Sequence, residues 1–173
     1  MPDNIQRMRR LAAELRQFLQ RWRGKVPDEE NQNLVIFEKG ADDMERRLER
    51  HWLASLRGLV EKKQAVLIGR HLLGGIVTVS QIAVEVKTMD AAAQAEFQKA
   101  LGEGYDIEED FRDAEKSLSE KEADFAKELA EVRTDWGDRL DAALMARLES
   151  ASSGDITEWA RQVSVATDAL KEP

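Results

Sequence analysis

The 173-residue chain contains no cysteine. Disulfide bonds, thiolate nucleophiles, iron–sulfur clusters and cysteine-ligated zinc are therefore excluded. Proline is also scarce, because the three prolines stand at positions 2, 27 and 173. Since proline is the residue that most strongly interrupts a helix, the long stretch that follows Pro27 can remain helical.

Few residues could perform acid–base or metal chemistry, and His51 and His71 are the only histidines. The Glu-x-x-His motif of di-iron helical bundles is missing twice, because Leu48 and Ile68 stand three positions before the two histidines. A His-Glu-x-x-His zinc motif is absent, and Ser80 lies nine residues beyond His71 without a nucleophile-elbow motif. The sequence therefore predicts a protein that is not an enzyme and has no catalytic residues.

Two further patterns fall short of a ligand site. Gly69 and the pair Gly74-Gly75 lack the Gly-Lys-Ser/Thr ending of a phosphate-binding loop. The acidic run at 108–115 lacks the glycine and glutamate spacing of an EF-hand, which favours a solvent-facing helix start over a divalent-cation site. We expect no bound metal and no cofactor.

The net charge of −8 is spread unevenly along the chain. Residues 1–26 contain seven basic and two acidic residues, a net charge of +5, so the remaining residues together carry −13. An acidic body argues against nucleic-acid binding, and a basic segment at one end leaves room for an acidic partner surface. The chain also lacks the compact apolar run of a secretory signal near residue 1, so we expect a cytoplasmic protein.

The first segment has the apolar spacing of an amphipathic helix over residues 4–24, which Gly24 and Pro27 should end. Three interpretations of this basic helix remain open: packing into the bundle with the arginines paired to acids, insertion into an anionic membrane interface, or binding in a groove of a partner protein. The candidate interaction residues are Met8, Arg9, Arg10, Leu15, Arg16, Phe18, Leu19, Trp22 and Arg23.

Long helices are predicted over residues 28–101. Apolar residues follow a strict heptad rhythm at Leu34, Phe37, Ala41, Met44 and Leu48. The seam then shifts by one position, through residues 52, 56 and 59, which indicates a stutter near position 51.

Residues 64–87 are the most apolar segment, and two structures compete for it. A heptad seam through Ile68, Leu72, Val79 and Ile82 favours a helix, whereas the abundance of β-branched residues is typical of a strand. We favour the helix, with a bend or chain reversal at Gly74-Gly75. The segment is expected to be a core layer between long helices, and the alternative is a conditional membrane element. Its candidate residues are Ile68, Leu72, Leu73, Gly74, Gly75, Ile76, Val79 and Ile82.

The last third of the chain predicts two more helices. Apolar rungs recur from Ile107 to Leu148 between dense charges, so one charged helix is predicted over residues 106–149, with a length of about 60 Å. A linker at 150–154 then leads to a C-terminal helix over residues 155–171, opened by a capping box from Asp155 to Glu158.

These features predict a single all-α domain over residues 1–173, an elongated helical bundle or antiparallel coiled coil of about five helices, two or three of them very long. The leading hypothesis is a non-enzymatic interaction protein (a scaffold, adaptor or chaperone-like module) that binds a protein partner or itself, with a homo-oligomer expected. The first alternative is a peripheral or conditionally inserting membrane protein that uses the basic helix and residues 64–87. The second is a bundle enzyme or sensor with a buried small-ligand pocket.

Overall fold

The computed structural model describes residues 2–171, and the side chains of residues 4–171 within them. This part of the chain folds into six helices and contains no strand, which confirms the predicted all-α elongated bundle. The helices are α1 (Pro2–Trp22), α2 (Asn31–Val86), α3 (Ala91–Leu101), α4 (Ile107–Trp136), α5 (Ala142–Ser150) and α6 (Ser153–Ala169). A short 3₁₀ turn at Asp28–Glu30 precedes α2.

Helix α2 is the spine of the molecule. Its 56 residues correspond to a length of about 84 Å. Helix α1 runs antiparallel along the first half of α2, because Arg23 near its end contacts Glu38 while Arg16 contacts Glu45. Helix α4 runs antiparallel from the middle of α2 towards its end, because Trp136 lies beside Trp52 while Leu118 lies against Gly69. The two halves of α2 therefore have different neighbours.

The hydrophobic core surrounds the middle of α2, where helices α1, α4, α5 and α6 all contribute side chains. The indole rings of Trp52 and Trp136 lie 5.7 Å apart and tilted, a favourable aromatic geometry. The largest side chains that are fully buried are Trp136, Leu59, Leu148, Ile156, Val60 and Val66. Beyond this region, after Leu67, fewer side chains from the other helices pack against α2.

Side-chain caps begin the helices that follow α2. Asp90, Asp106 and Asp141 each accept hydrogen bonds from backbone N–H groups in the first turn of α3, α4 and α5. The single helix predicted over residues 106–149 is therefore wrong in extent, because a turn at 137–141 divides it. Within the long helices predicted over residues 28–101, a turn at 87–90 separates α2 from α3. At each turn a capping aspartate competes with helix continuation.

Helix α6 also begins earlier than predicted. Ser152 is its N-cap and shares reciprocal hydrogen bonds with Asp155, so the capping box lies three residues before the predicted one. The sequence carries both patterns. The first one forms, and Ile156, Trp159 and Val163 are buried on one face of the helix.

The helical prediction for residues 64–87 is confirmed up to Val86, and a chain reversal at Gly74-Gly75 is wrong, because α2 passes through both glycines. The predicted seam is wrong as well. Ile68 and Leu72 face solvent, whereas Val66, Gly69 and Ile76 are buried. The segment has apolar residues on more than one face, so periodicity alone could not identify the packed one. Gly69 determines which face packs, because the absence of a side chain there lets α4 approach closely. A Cβ at position 69 would lie 3.3 Å from a methyl carbon of Leu118.

Candidate interaction surfaces

The apolar face of α1 packs onto the bundle. Ala12 and Leu19 are buried, and Ile5 and Met8 lie against the core cluster. Leu15 is half-buried on the same face. This packing corresponds to the first of the three interpretations of the basic helix, although Leu11, Phe18 and Trp22 remain exposed.

Three of the candidate arginines of α1 are paired within the chain. Arg9 pairs with Asp138, donates to the backbone carbonyl of Asp135 at 2.8 Å, and lies 4.7 Å from the ring centre of Trp136. The other two contact α2, where Arg16 pairs with Asp42 and Glu45 and Arg23 pairs with Glu38. Arg10 is exposed. The acids of the body thus neutralise most of this positive charge.

These pairs shift the titration of their members. The hydrogen bond from Arg16 lowers the pKa of Glu45, against the opposing effect of partial burial, and it raises the pKa of Arg16 itself. The hydrogen bond from Arg9 likewise lowers the pKa of Asp138. Both ion pairs therefore favour the docked position of α1 when the carboxylates are ionised.

An aromatic patch is exposed where α1 and α2 meet, at the start of α2. The rings of Phe18 and Phe37 are 6.0 Å apart in an edge-to-face arrangement, and Trp22 lies 6.5 Å from Phe18. Together with Val26 and Leu34 they line an open cleft of about 330 Å³. Phe18 and Trp22 were predicted interaction residues, whereas Phe37 belongs to the predicted heptad seam and is 46% exposed.

The second apolar surface is the distal segment of α2, residues 68–86. Ile68 is 58% exposed, Leu72 is 56% exposed and Ile82 is 45% exposed. Val79 on the same face is half-buried, and Val77 and Val84 are exposed on a neighbouring face. We name the outward line of side chains the outer stripe; it consists of Ile68, Leu72, Gly75, Val79 and Ile82.

Among the described residues, α2 is the one helix with the length and composition to cross a membrane. Only 17% of its qualifying 18-residue window is buried inside the protein. A core helix of a soluble protein meets the same criterion but is mostly buried. The low burial therefore sets this segment apart from an ordinary core helix.

A third surface is a basic groove between α2 and α6 that the sequence did not reveal, because its residues come from distant parts of the chain. It is open to solvent, and Arg50 at its floor donates to the backbone carbonyl of Leu170 at 2.6 Å. The lining residues are Asp43, Arg46, Arg47, Arg50, Thr167 and Lys171. We assign it no ligand, since the arginine at its floor already caps the end of α6.

Lys63 is the one charged side chain that is buried in the described part of the chain, with 5% exposure. Its ammonium lies 5.6 Å from the ring centre of Phe125 and has no carboxylate within ion-pair distance. Burial lowers the pKa of Lys63, and the positive charge of Arg70 lowers it further, while Glu149 and Glu122 act in the opposite direction.

The chemistry-bearing residues of the described segment do not converge on one place. Within residues 2–171, no three carboxylate or histidine side chains are grouped so that they could hold a metal ion. His51 and His71 are both exposed and lie twenty positions apart on the same helix. The features with binding potential are therefore the aromatic patch and the outer stripe.

Comparison of the chain with protein-family models, with curated proteins and with solved structures finds no match.

Proposed function

We propose that this protein is a non-enzymatic helical interaction protein that associates with itself through the distal segment of α2 and offers the aromatic patch to a protein partner. The observation that carries the proposal is the contrast within one helix. The middle of α2 is enclosed by core side chains, whereas the distal segment is apolar and leaves Ile68, Leu72 and Ile82 about half exposed. Large exposed apolar patches mark association sites.

The energetic argument rests on the size of the exposed side chains. Full burial of a leucine or isoleucine side chain contributes about 1.5–3 kcal/mol. Ile68, Leu72 and Ile82 retain roughly half of their surface in solvent, so each would contribute about 1 kcal/mol on association. Two copies that bury the same surface gain this from both sides, and this favours a homo-oligomer.

The aromatic patch supports the second half of the proposal. Aromatic side chains are enriched at the centres of protein interfaces, where they supply large contact area at low entropic cost. Trp22 and Phe37 are more than 40% exposed around a preformed apolar cleft. The charged residues nearby, Glu30 among them, form a polar rim. This arrangement suits an apolar anchor side chain of a partner protein.

The membrane hypothesis is the alternative for the distal segment, because a bilayer would also cover its apolar surface. Two observations weigh against it. Residues 106–122, on the partner helix and its cap, contain eight acidic and three basic residues, a charge that anionic headgroups repel. Three of the arginines that would bind such headgroups, Arg9, Arg16 and Arg23, are held by Asp138, Glu45 and Glu38.

Sedimentation velocity across a concentration series tests the proposal. We expect the native chain to form a dimer or a larger oligomer, and the variant Leu72→Glu/Ile82→Glu to remain monomeric because it places charges on the outer stripe. Ile36→Glu is the matched control: Ile36 lies on the same helix, is 66% exposed, and stands outside the distal segment. It should leave association unchanged.

Liposome flotation in parallel separates the two hypotheses. A native chain that stays monomeric at all concentrations and floats with anionic vesicles would replace self-association by membrane binding. A native chain that stays monomeric and does not float with vesicles would refute both self-association and membrane binding through the distal segment. An oligomer that ignores vesicles and loses its association in the double variant supports the proposal.

A further inference from the structure

We infer that two copies of this chain pair through the outer stripe in an antiparallel arrangement, with the twofold axis of the dimer passing beside Gly75. This inference rests on the proposed self-association and adds its contact surface and geometry. A twofold dimer uses the same patch on both copies, so its surface must match itself when one copy is reversed. The outer stripe meets that requirement.

The first support is the internal symmetry of the stripe. Its members are separated by four, three, four and three residues, the spacing of a helix–helix seam. Reversing the helix about Gly75 brings Ile68 opposite Ile82 of the second copy, and it brings Leu72 within one residue, about 1.5 Å along the axis, of Val79. Large aliphatic side chains therefore meet large aliphatic side chains on both sides of a glycine centre.

The second support is independent of hydrophobicity and concerns the glycines themselves. Gly74 and Gly75 lie within a continuous helix, where glycine is less favourable than alanine. A Cβ added at either position would meet nothing within 4 Å, so packing inside one copy does not require them. Gly69, by contrast, admits Leu118 of the same chain. A glycine in open space at the centre of an exposed seam is explained by a second helix that approaches closely there.

Charge and area agree with a second copy as the occupant. Between Lys63 and Glu85 the only formally charged side chain is Arg70, whose guanidinium is held by Glu122 at 3.2 Å, so no like charges face each other across the axis. A stripe of this length is about 20 Å long and would bury on the order of 500 Å² per copy, near the lower limit for a specific interface. We therefore expect a dimer with a micromolar dissociation constant.

Cysteine cross-linking tests the geometry, and the native chain supplies a cysteine-free background. Helix axes about 8–10 Å apart place facing Cα atoms about 3.5–5.5 Å from each other, which a disulfide can bridge. In the antiparallel pair Gly75 faces itself, so Gly75→Cys should form a covalent dimer under oxidised glutathione. Ile68→Cys alone should not, because the two copies of position 68 would lie about 20 Å apart.

Mixing two single variants completes the design. Equal amounts of Ile68→Cys and Ile82→Cys should give a covalent heterodimer, although neither variant links to itself. Ala126→Cys, at an exposed position of α4, measures random collision and should give only background cross-linking. Circular dichroism of each variant verifies that α2 remains helical.

The outcomes separate this inference from the proposed function. Efficient self-linking of Ile68→Cys would indicate a parallel pair and overturn the inference. If sedimentation shows a native dimer but neither Gly75→Cys nor the mixture cross-links above Ala126→Cys, another surface forms the dimer, and self-association stands while the geometry is wrong. A native chain that is monomeric at every concentration overturns both.

Discussion

The ammonium group of Lys63 lies 5.6 Å from the ring centre of Phe125, and the lysine is only 5% exposed. The contact supplies a cation–π attraction without a carboxylate counter-charge. Because a buried charge without a carboxylate partner is costly, we expect Lys63→Met to increase the free energy of unfolding by about 1–2 kcal/mol. Urea denaturation at neutral pH measures this, and Lys116→Met, at an exposed position of α4, should change it by less than about 0.5 kcal/mol.

The pH dependence of this effect has a definite sign. The folded-state pKa of Lys63 is lowered, so the unfolded chain binds more protons than the folded chain between the lowered value and the ordinary value near 10.5. The unfavourable contribution of the lysine is complete below this window and declines as the pH rises through it. The advantage of Lys63→Met over the native chain should therefore shrink towards pH 10. A constant difference across that range would contradict the assigned desolvation.

Acid should weaken the attachment of α1. The carboxyl pKa values of Glu45 and Asp138 are lowered by Arg16 and Arg9, so their contribution to stability is present above the unfolded value near 4 and is lost as the pH falls through the lower folded values. These pairs are partly exposed, and we expect Arg16→Gln to lower the free energy of unfolding slightly at pH 7 and to have almost no effect near pH 2. Denaturation at both pH values, with Arg10→Gln as the control, checks this.

A substitution at the proposed dimer axis should act in opposite directions on two measurements. Gly75→Ala should raise the free energy of unfolding of the monomer by about 0.5–1 kcal/mol, because alanine is the better helix former. The same substitution should weaken dimerisation, since the added methyl group separates the two helices. Gly40→Ala is matched to it: Gly40 also lies in α2 with nothing within 4 Å of an added Cβ. It should stabilise the helix without changing the dimer, and an equal loss of dimer in both variants would argue against close approach at Gly75.

The start of α6 depends on its capping box. Ser152 accepts from the backbone N–H of Asp155, and Asp155 accepts in return from the backbone N–H of Ser152 at 3.0 Å. Ser152→Ala should therefore lower the free energy of unfolding by about 1 kcal/mol. Ser150→Ala removes a hydroxyl that bonds only within its own helix and should have a smaller effect. Thermal unfolding of the two variants side by side provides the comparison.

Much of the fold could be predicted from the sequence, because amphipathic spacing determines where a helix forms. The spacing from Ile5 to Trp22 identified α1, and Phe111, Val132 and Trp136 lie on the predicted apolar side of α4. Two internal boundaries were missed, at Asp90 and Asp141. An aspartate within a charged helix resembles an ordinary solvated residue until the backbone N–H groups that it caps are located.

The choice of packed face could not be made from the sequence. Ile68 and Val66 are both apolar and both belong to plausible seams, and the outcome depended on where α4 could approach closely. Similarly, Phe37 fits a heptad but lies beyond the reach of α4 and α6, so its ring remains at the surface beside Phe18. These differences arise from the placement of neighbouring helices, which periodicity does not specify.

The length of α2 has a geometric consequence for a paired molecule. From Gly75 back to Leu34, at the aromatic patch, the helix rises by about 60 Å. Two copies reversed about Gly75 would therefore hold their two aromatic clefts about 120 Å apart, at opposite ends of one rod. Such a dimer would present two identical binding clefts at a fixed distance, so it could bridge two partner molecules. A bivalent target with that spacing would be retained by avidity even if each cleft bound weakly.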